Sequence, residues 1–296
     1  MKQEPIILGQ STRFPLKGLL TLPEGSGPFP AVVLVHGSGS SNLDEKVGKL
    51  TPFKDIALGL ARRGIASVRY DKRSYAHGLK MVLDKGHPIT VREETIDDAL
   101  LAARLLRSDS RIDADRVFLL GHSMGNFAGL ILLAGTPRRL EEVLLEQTAE
   151  AVSSMKGFTR KIGQKQLAQL RQTFEGLYDL SDEEAKGKKV GGGTTLYYFK
   201  EMGQPTVAEW LEKTRKPMLI LQGEQDVQVK AAVDFARYRQ LLGDRENVTF
   251  RLYPGLNHAF VTAVSDSIAD AKKEFARERH IGPEVLDDLA NWILAQ

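Results

Sequence analysis

The strongest constraint on the fold is a serine between two glycines that directly follows an apolar run. Residues 117–120 (Val-Phe-Leu-Leu) predict a buried β-strand, and residues 121–125 (Gly-His-Ser-Met-Gly) follow it without a spacer. This spacing is typical of a sharp turn after a strand, in which the central serine has a strained backbone and the flanking glycines avoid clashes. The pattern therefore predicts that Ser123 projects as a nucleophile from the edge of a sheet.

Continuous apolar runs recur along the chain and predict further strands. Residues 31–35 have the composition of a strand that is buried on both faces, and residues 65–70, 217–221 and 248–253 predict three further strands. Stretches with helical spacing of apolar residues separate these runs, whereas the first 30 residues predict an antiparallel hairpin. This alternation predicts an α/β protein with a mostly parallel central sheet that is flanked by helices.

The middle of the chain has a different pattern. From residue 138 to residue 214 the strand signal is weak and apolar residues repeat at helical spacing. We therefore expect residues 1–137 and 215–296 to form the two parts of the sheet-containing core, and residues 138–214 to be a helical cap inserted between them. Within this cap, residues 186–189 and 191–193 are rich in lysine and glycine and predict a mobile linker.

A serine nucleophile needs a general base, which must be one of six histidines. His258 follows the predicted strand 248–253 in a loop that can lean over the carboxyl edge of the sheet, where open α/β sheets bind ligands. His36 and His122 are expected to belong to their own turns, with the His122 side chain pointing away from the serine. The other three lie in polar stretches and are expected to be solvated: His77, His87 and His280.

The acid that orients the histidine should also follow a strand. Asp226 does so, in the turn after strand 217–221, and Glu224 in the same turn is the rival candidate. Ser123, Asp226 and His258 then occur in the chain order of the catalytic triad of α/β hydrolases. The agreement of this order with three separate positions after strands predicts a serine hydrolase.

Main-chain N–H groups are needed to stabilise the negative charge that develops during acyl transfer. Met124 is expected to supply one, and Ser38, in the loop after strand 31–35, the other. The Gly-Ser-Gly of residues 37–39 could also begin a dinucleotide-binding fingerprint, but its third glycine position is Asn42, and no phosphate-binding Gly-Lys-Ser/Thr occurs. No cofactor is therefore expected.

Other polar groups are predicted to be structural. Arg69, Asp71 and Arg73 end a predicted strand and are expected to form ion pairs that hold loops together. Asp44 and Glu45 indicate a metal site only weakly, and the absence of cysteine excludes disulfides, thiolate nucleophiles and Cys-ligated zinc. No metal is expected.

Composition limits the partners. The 41 basic and 38 acidic residues give a net charge of +3, which indicates no general attraction to nucleic acid. No apolar run reaches the roughly 18 residues of a membrane span, so no membrane association is predicted. The first residues lack a signal-peptide pattern, so a cytoplasmic location is expected, although a secreted protein trimmed of its leader would look the same. The sequence does not indicate an oligomeric state.

Together, five segments resemble bacterial α/β-hydrolase esterases, carboxylesterases related to the dienelactone hydrolases and the cinnamoyl or feruloyl esterases. They are residues 36–39, 69–73, 121–125, 222–226 and 253–258. The resemblance covers most of residues 15–295. It implies hydrolysis of small-molecule carboxylic esters through an acyl-enzyme, without cofactor or metal, and Ser123, Asp226 and His258 fall on the family's triad positions. A thioesterase or a peptidase would use the same triad.

Aromatic residues 197–199 in the cap suggest a hydrophobic or aromatic substrate, but such residues are equally typical of a core.

The chain departs from the family's pattern after the serine. Members usually continue with a second glycine, a helix and another parallel strand, but Asn126 stands at the glycine position and only about ten residues separate Gly125 from Thr136. A helix plus a crossover takes roughly a dozen residues or more. Either the helix is missing, or the segment is the helix and the strand is lost. The alternative function is therefore a catalytically impaired α/β hydrolase that acts as a binding protein.

Overall fold

The computed structural model describes residues 1–83, 89–123, 131–191 and 194–296. Ten strands are assigned in these ranges: β1 Lys2–Leu8, β2 Leu16–Leu22, β3 Phe29–Val35, β4 Ala66–Tyr70, β5 Ile112–His122, β6 Ile131–Leu133, β7 Lys189–Gly191, β8 Thr194–Thr195, β9 Met218–Gly223 and β10 Val248–Tyr253. Eight of them form one sheet in the order β1-β2-β4-β3-β5-β6-β9-β10, and β7 pairs separately with β8.

The helices in the same ranges are α1 Pro52–Ala61, α2 Arg73–Leu83, α3 Asp97–Ser108, α4 Leu140–Ser154, α5 Gly157–Phe174, α6 Asp182–Gly187, α7 Leu196–Gly203, α8 Val207–Lys213, α9 Ala236–Leu242, α10 Ala271–Glu274 and α11 Pro283–Ala295. Single wider turns, Arg92–Ile96 and Ala231–Phe235, precede α3 and α9. No helix in the described parts of the chain is long and apolar enough to cross a membrane.

The sheet is parallel except at one edge. From β4 to β10 each neighbouring pair runs parallel, whereas β2 is antiparallel to both β1 and β4. Successive residues of a strand point to opposite faces. Val32 and Leu34 of β3 accordingly pack in a core with α1 and α11, and Val33 packs in a second core with α3. The predicted mostly parallel sheet between two layers of helices is confirmed.

Strand β6 decides between the two alternatives for the chain after the serine. Residues 131–133 pair in parallel with β5 on one side and with β9 on the other, so the strand is present and the alternative in which it is lost is wrong. Only residues 123–130 connect β5 to β6, and residues 124–130 of this connection lie outside the described residues. The connection is shorter than the dozen or so residues that a helical crossover takes.

The segment between β6 and β9 contributes to a further apolar cluster, which it shares with Met81, Ile89 and Val91. Helices α4 to α8 lie in this segment, and Phe174, Tyr198 and Phe199 are buried in a cluster separate from the two sheet cores. Two of the three aromatic residues predicted to hint at the substrate, Tyr198 and Phe199, are therefore core residues of this cluster. Residues 182–187 form α6 and residues 189–191 form β7, so the predicted mobile linker is wrong for these positions, while residues 192 and 193 lie outside the described residues.

Truncation on α11 tests the packing of the closing helix. Leu289 is fully buried against the sheet, whereas Leu294 on the same helix is 48% exposed. Leu289→Ala is expected to lower the free energy of unfolding by about 2–5 kcal/mol through lost burial and a residual cavity. Leu294→Ala should change it by no more than about 0.5 kcal/mol. Urea denaturation measures both, and equal effects of the two variants would contradict the packing of Leu289 against the sheet.

Candidate active site

Four loops meet at the carboxyl edge of the sheet. The loop after β3 carries His36 and Ser38, and the loop after β5 begins with Ser123. The loop after β9 carries Asp226, and the loop after β10 carries His258. Strands that run parallel end at the same edge, so residues far apart in sequence come together there. Four of the five sequence-predicted site residues, Ser38, Ser123, Asp226 and His258, thus lie in loops that follow strands ending at one edge.

Asp226 and His258 are in direct contact. His258 Nδ1 lies 2.7 Å from Asp226 Oδ2, which also accepts a hydrogen bond from Gln222 Nε2 at 3.0 Å. The other carboxylate oxygen accepts the main-chain N–H groups of Gln228 and Val229 at 2.8 and 2.9 Å. Because the carboxylate can only accept, His258 donates from Nδ1, which leaves Nε2 as the proton acceptor.

Glu224, the rival candidate for the acid, is exposed on the same turn. It is Asp226, and not Glu224, that is buried and touches the histidine. The contact geometry therefore favours Asp226 as the orienting acid.

Ser123 directly follows the last residue of β5 and has a φ of +54°. This left-handed conformation is uncommon for a residue with a side chain and stores strain. Gly37 lies against this turn, since a Cβ atom at residue 37 would lie 2.9 Å from both His122 O and Ser123 Cβ. The strained turn and the close glycine are the geometry expected of a projecting nucleophile.

The five candidate residues are not all joined. Among the described residues no hydrogen bond links Ser123 Oγ to His258, although the His122 ring next to the serine lies 4.8 Å from the His258 ring, centroid to centroid. Ser38 is exposed beside the turn, and its N–H has no hydrogen-bond acceptor in the described parts of the chain. Met124, the other predicted N–H donor, lies outside the described residues.

A buried lysine holds the loop that carries Ser38. Lys72 Nζ donates to Gly37 O at 2.8 Å and lies 3.3 Å from Glu94 Oε2. Tyr198 on α7 donates to the same Glu94 oxygen at 2.9 Å. These contacts connect the helical insertion to the loop after β3 through buried charged groups, which are held in place because each has a partner.

The polar residues at the end of β4 are structural, as predicted. Arg69 Nε donates to Asp44 Oδ1 at 2.8 Å, and Asp71 Oδ1 accepts the N–H of Leu43 at 2.8 Å. Arg73 pairs with Asp98 on α3, where burial raises the pKa of Asp98 to about 6 against the opposing effect of Arg73. No group of three or more potential metal ligands occurs among the described residues.

Sequence reasoning missed one cluster altogether. Glu45, with a φ of +50°, is buried between His36 and His122. Glu45 Oε2 lies 2.9 Å from His122 Nδ1, and His122 Nε2 lies 3.0 Å from the main-chain oxygen of His258. His122 was expected to belong to its own turn; its side chain instead reaches the loop of His258. The only sequence signal for this contact is that Glu45 follows the Gly-Ser-Gly segment of residues 37–39 at a short distance.

The loop of His258 is held from its other side by Asn257. Its amide donates to the buried Glu274 Oε2 at 2.8 Å, and Glu274 Oε1 accepts the N–H groups of Val264 and Ser265 at 2.9 and 2.8 Å. The loop also runs close to β9, because a Cβ atom at Gly223 would lie 2.5 Å from the main-chain oxygens of Leu256 and Asn257. The position of His258 is therefore set by a side-chain hydrogen bond of Asn257 on one side and by close main-chain packing on Gly223 on the other.

The chain belongs to the alpha/beta hydrolase family, whose model matches residues 32–277. It is 32% identical to esterase EstD of Thermotoga maritima over 292 residues, which cover 94% of this chain and 65% of that protein. It is 24% identical to the acylamino-acid-releasing enzyme of Rattus norvegicus over 256 residues, 84% of this chain and 31% of the relative. The chain thus spans less than two thirds of the length of either curated relative.

Solved structures with the same fold include two esterases. The esterase of Pyrococcus furiosus superposes with a TM-score of 0.56 at 14% identity, covering 99% of this chain and 91% of that one. Est1E from Butyrivibrio proteoclasticus gives a TM-score of 0.55 at 14% identity, with 99% of both chains covered. At this level of identity the likeness shows the fold alone.

A methyl group at Gly223 tests how tightly the loop of His258 is held. Gly223→Ala should displace the main chain at residues 256–258 and lower the free energy of unfolding by about 1–3 kcal/mol through overpacking. The low-field proton signal expected from His258 Nδ1–H on Asp226 should shift or disappear. Gly187→Ala, where a Cβ atom meets nothing within 4 Å, is the matched control and should leave both readouts unchanged. If Gly223→Ala changes neither the free energy of unfolding nor the His258 Nδ1–H signal, the loop of His258 is not held tightly by this contact.

Proposed function

We propose that the chain is a serine carboxylesterase, which hydrolyses small-molecule carboxylic esters through an acyl-enzyme. The observation that carries this proposal is the 2.7 Å contact between His258 Nδ1 and Asp226 Oδ2 at the sheet edge where the strained Ser123 ends β5. The 32% identity to an esterase supports the same activity.

In the proposed reaction His258 Nε2 takes the hydroxyl proton of Ser123 as the serine oxygen attacks the ester carbonyl. Asp226 keeps the imidazole in the Nδ1–H tautomer and stabilises the imidazolium that forms. The imidazolium then protonates the leaving alcohol, and a water activated by the same histidine cleaves the acyl-enzyme. No cofactor or metal takes part in this proposal.

The developing oxyanion needs donors on one side of the serine. We assign this role to the main-chain N–H groups of Ser38 and Met124, of which the first has no protein acceptor within the described ranges. Gly37 allows this loop to approach Ser123, and Lys72 holds its carbonyl. Loss of one such donor typically costs about 100- to 1,000-fold in turnover.

We further propose that residues 138–214 form a cap that limits the size of the substrate. Their helices follow β6 at the carboxyl edge, and Tyr198 connects α7 through Glu94 and Lys72 to the loop of Ser38. The same triad would serve a thioesterase or a peptidase, and the name of the acylamino-acid-releasing relative keeps the peptidase alternative open.

Chemical labelling tests the nucleophile. A fluorophosphonate probe is expected to label the folded chain at Ser123, and Ser123→Ala should abolish labelling and ester hydrolysis, because the proposal assigns the attacking oxygen to Ser123. Ser153→Ala, an exposed serine of α4, is the matched control and should leave both intact. Mass spectrometry of the labelled peptide and a nitrophenyl acetate assay measure the outcome. Full hydrolysis by Ser123→Ala would overturn the proposal.

The alternative is a catalytically impaired binding protein, and it is favoured by the short connection of residues 123–130. In other family members the segment after the serine provides a helix whose positive end supports the oxyanion. A wild-type chain that is folded but neither labelled nor active would favour this alternative.

A substrate panel tests the cap. Nitrophenyl esters from acetate to decanoate, together with a feruloyl ester, an amide and a thioester, should reveal a preference for esters with a cut-off in acyl length. A cap that closes over the serine should reject long acyl chains that an open edge would accept. Equal kcat/KM values along the acyl series would contradict the size limit, and a preference for the amide would favour the peptidase.

A further inference from the structure

Both ring nitrogens of His122 face groups that accept protons. Nδ1 lies 2.9 Å from Glu45 Oε2, at ion-pair distance though out of line for a straight hydrogen bond. Nε2 lies 3.0 Å from the main-chain oxygen of His258, which has no proton to give. The His122 side chain is buried, so bulk water does not reach its two ring nitrogens.

Proton counting restricts the state of this pair. Nε2 must carry a proton to donate to the carbonyl of His258, and one further proton must lie between Nδ1 and the carboxyl of Glu45. Burial alone disfavours the charged forms of both groups. It is outweighed by their mutual attraction, which raises the pKa of His122 and lowers that of Glu45. Both directions favour the arrangement in which the proton lies on His122, as an imidazolium beside a carboxylate.

The other groups that face this pair fit the same assignment. His36 Nε2 lies 2.6 Å from Tyr70 O and must donate to it, while its Nδ1 lies 4.0 Å from Glu45 Oε1 without a hydrogen-bond partner in the described structure. Burial lowers the pKa of His36, so it stays neutral. The N–H of Gly37 donates to Glu45 Oε1 at 3.3 Å.

From the opposite side the pair faces the proposed triad. The His258 ring lies against the His122 ring at 4.8 Å between centroids, and Asp226 lies beyond His258. Phe53 of α1 contributes only an apolar edge, at 6.5 Å from the His122 ring. An uncompensated cation beside His258 would oppose the protonation of His258 during the reaction. Because Glu45 neutralises the charge of His122, His258 faces a pair with no net charge.

We propose that His122 is a positioning residue for the general base: as an imidazolium neutralised by the buried Glu45, it holds the main-chain carbonyl of His258 and so fixes the imidazole beside Ser123. The positioning role rests on the proposed function, whereas the protonation state of His122 does not. His122 precedes Ser123 directly, so one dipeptide carries both the nucleophile and the group that anchors the base. A displacement of about 1 Å at such a site can cost on the order of 100-fold in rate.

The protonation state is measured in the wild-type chain by ¹⁵N NMR with labelled histidines, and His122→Gln assigns the signal. We expect both nitrogens of His122 to be protonated at about pH 7.5, where an ordinary histidine is neutral, and His36 to be protonated at Nε2 alone. Glu45→Gln should convert His122 to a neutral ring, because the amide cannot stabilise the cation. A neutral His122 in the wild type, or a charged one in Glu45→Gln, would overturn the assignment, whether or not the chain hydrolyses esters.

The positioning role is measured by the steady-state kinetics of nitrophenyl acetate hydrolysis. His122→Ala should lower kcat at least about 10-fold and leave KM within about twofold, since the substrate does not touch this buried side chain. Glu45→Gln, whose amide N–H can donate to Nδ1 of the neutral ring, should lose less than His122→Ala. His280→Ala, an exposed histidine far along the chain, is the matched control.

The two readouts separate the possible failures. A folded His122→Ala with unchanged kcat would refute the positioning role. If His122→Ala does not fold, Glu45→Gln decides: a kcat equal to the wild type together with a neutral His122 would refute a role for the charge. A wild type that is inactive and unlabelled would refute the proposed function instead, and the NMR result would stand independently.

Discussion

The geometry of the candidate site depends on the parallel pairing of the central strands. β3 pairs with β5 up to Val35 and Gly121, and β9 pairs with β10 up to Gly223 and Tyr253. Each functional loop begins within a few residues of these last pairs, so the register of the sheet determines how close the loops come. Hydrophobic cores on both faces hold that register, because a slip by one residue would turn every buried side chain to the opposite face.

The loops themselves are held by buried polar groups and not by apolar packing. Lys72, Glu45 and Glu274 are each buried. Lys72 and Glu45 both contact the main chain of Gly37 in the loop after β3, and Glu274 contacts the main chain of Val264 and Ser265 beyond β10. An unpaired charge in such a position would cost several kcal/mol. These residues therefore tie each loop to a specific partner, which is a more directional constraint than the packing of apolar side chains provides. Rigid placement of reacting groups is what acyl transfer requires.

The sequence allowed the sheet, its helical layers and the contact of Asp226 with His258 to be predicted, because each depends on local periodicity or on a position directly after a strand. It did not reveal the pairing of Glu45 with His122 and of Lys72 with Gly37. Those contacts join segments whose relative position follows from the folded sheet, and no local pattern marks a charged residue as buried. The aromatic residues 198 and 199 are the opposite case, because their sequence pattern is equally typical of a substrate site and of a core. Their burial against Phe174 shows that they belong to a core.

The short connection after Ser123 bears on two aspects of activity, the position of the nucleophile and the stabilisation of the oxyanion. The contacts that define the backbone at this point come from the preceding side: β5 is paired with β3 up to Gly121, and His122 is held by Glu45 and by the carbonyl of His258. Gly37 leaves room for the turn. The left-handed conformation of Ser123 is therefore supported by residues that precede it in the chain or lie on other loops. What a following helix would add is electrostatic support for the oxyanion, so the short connection should weaken the stabilisation of the transition state more than the position of the nucleophile.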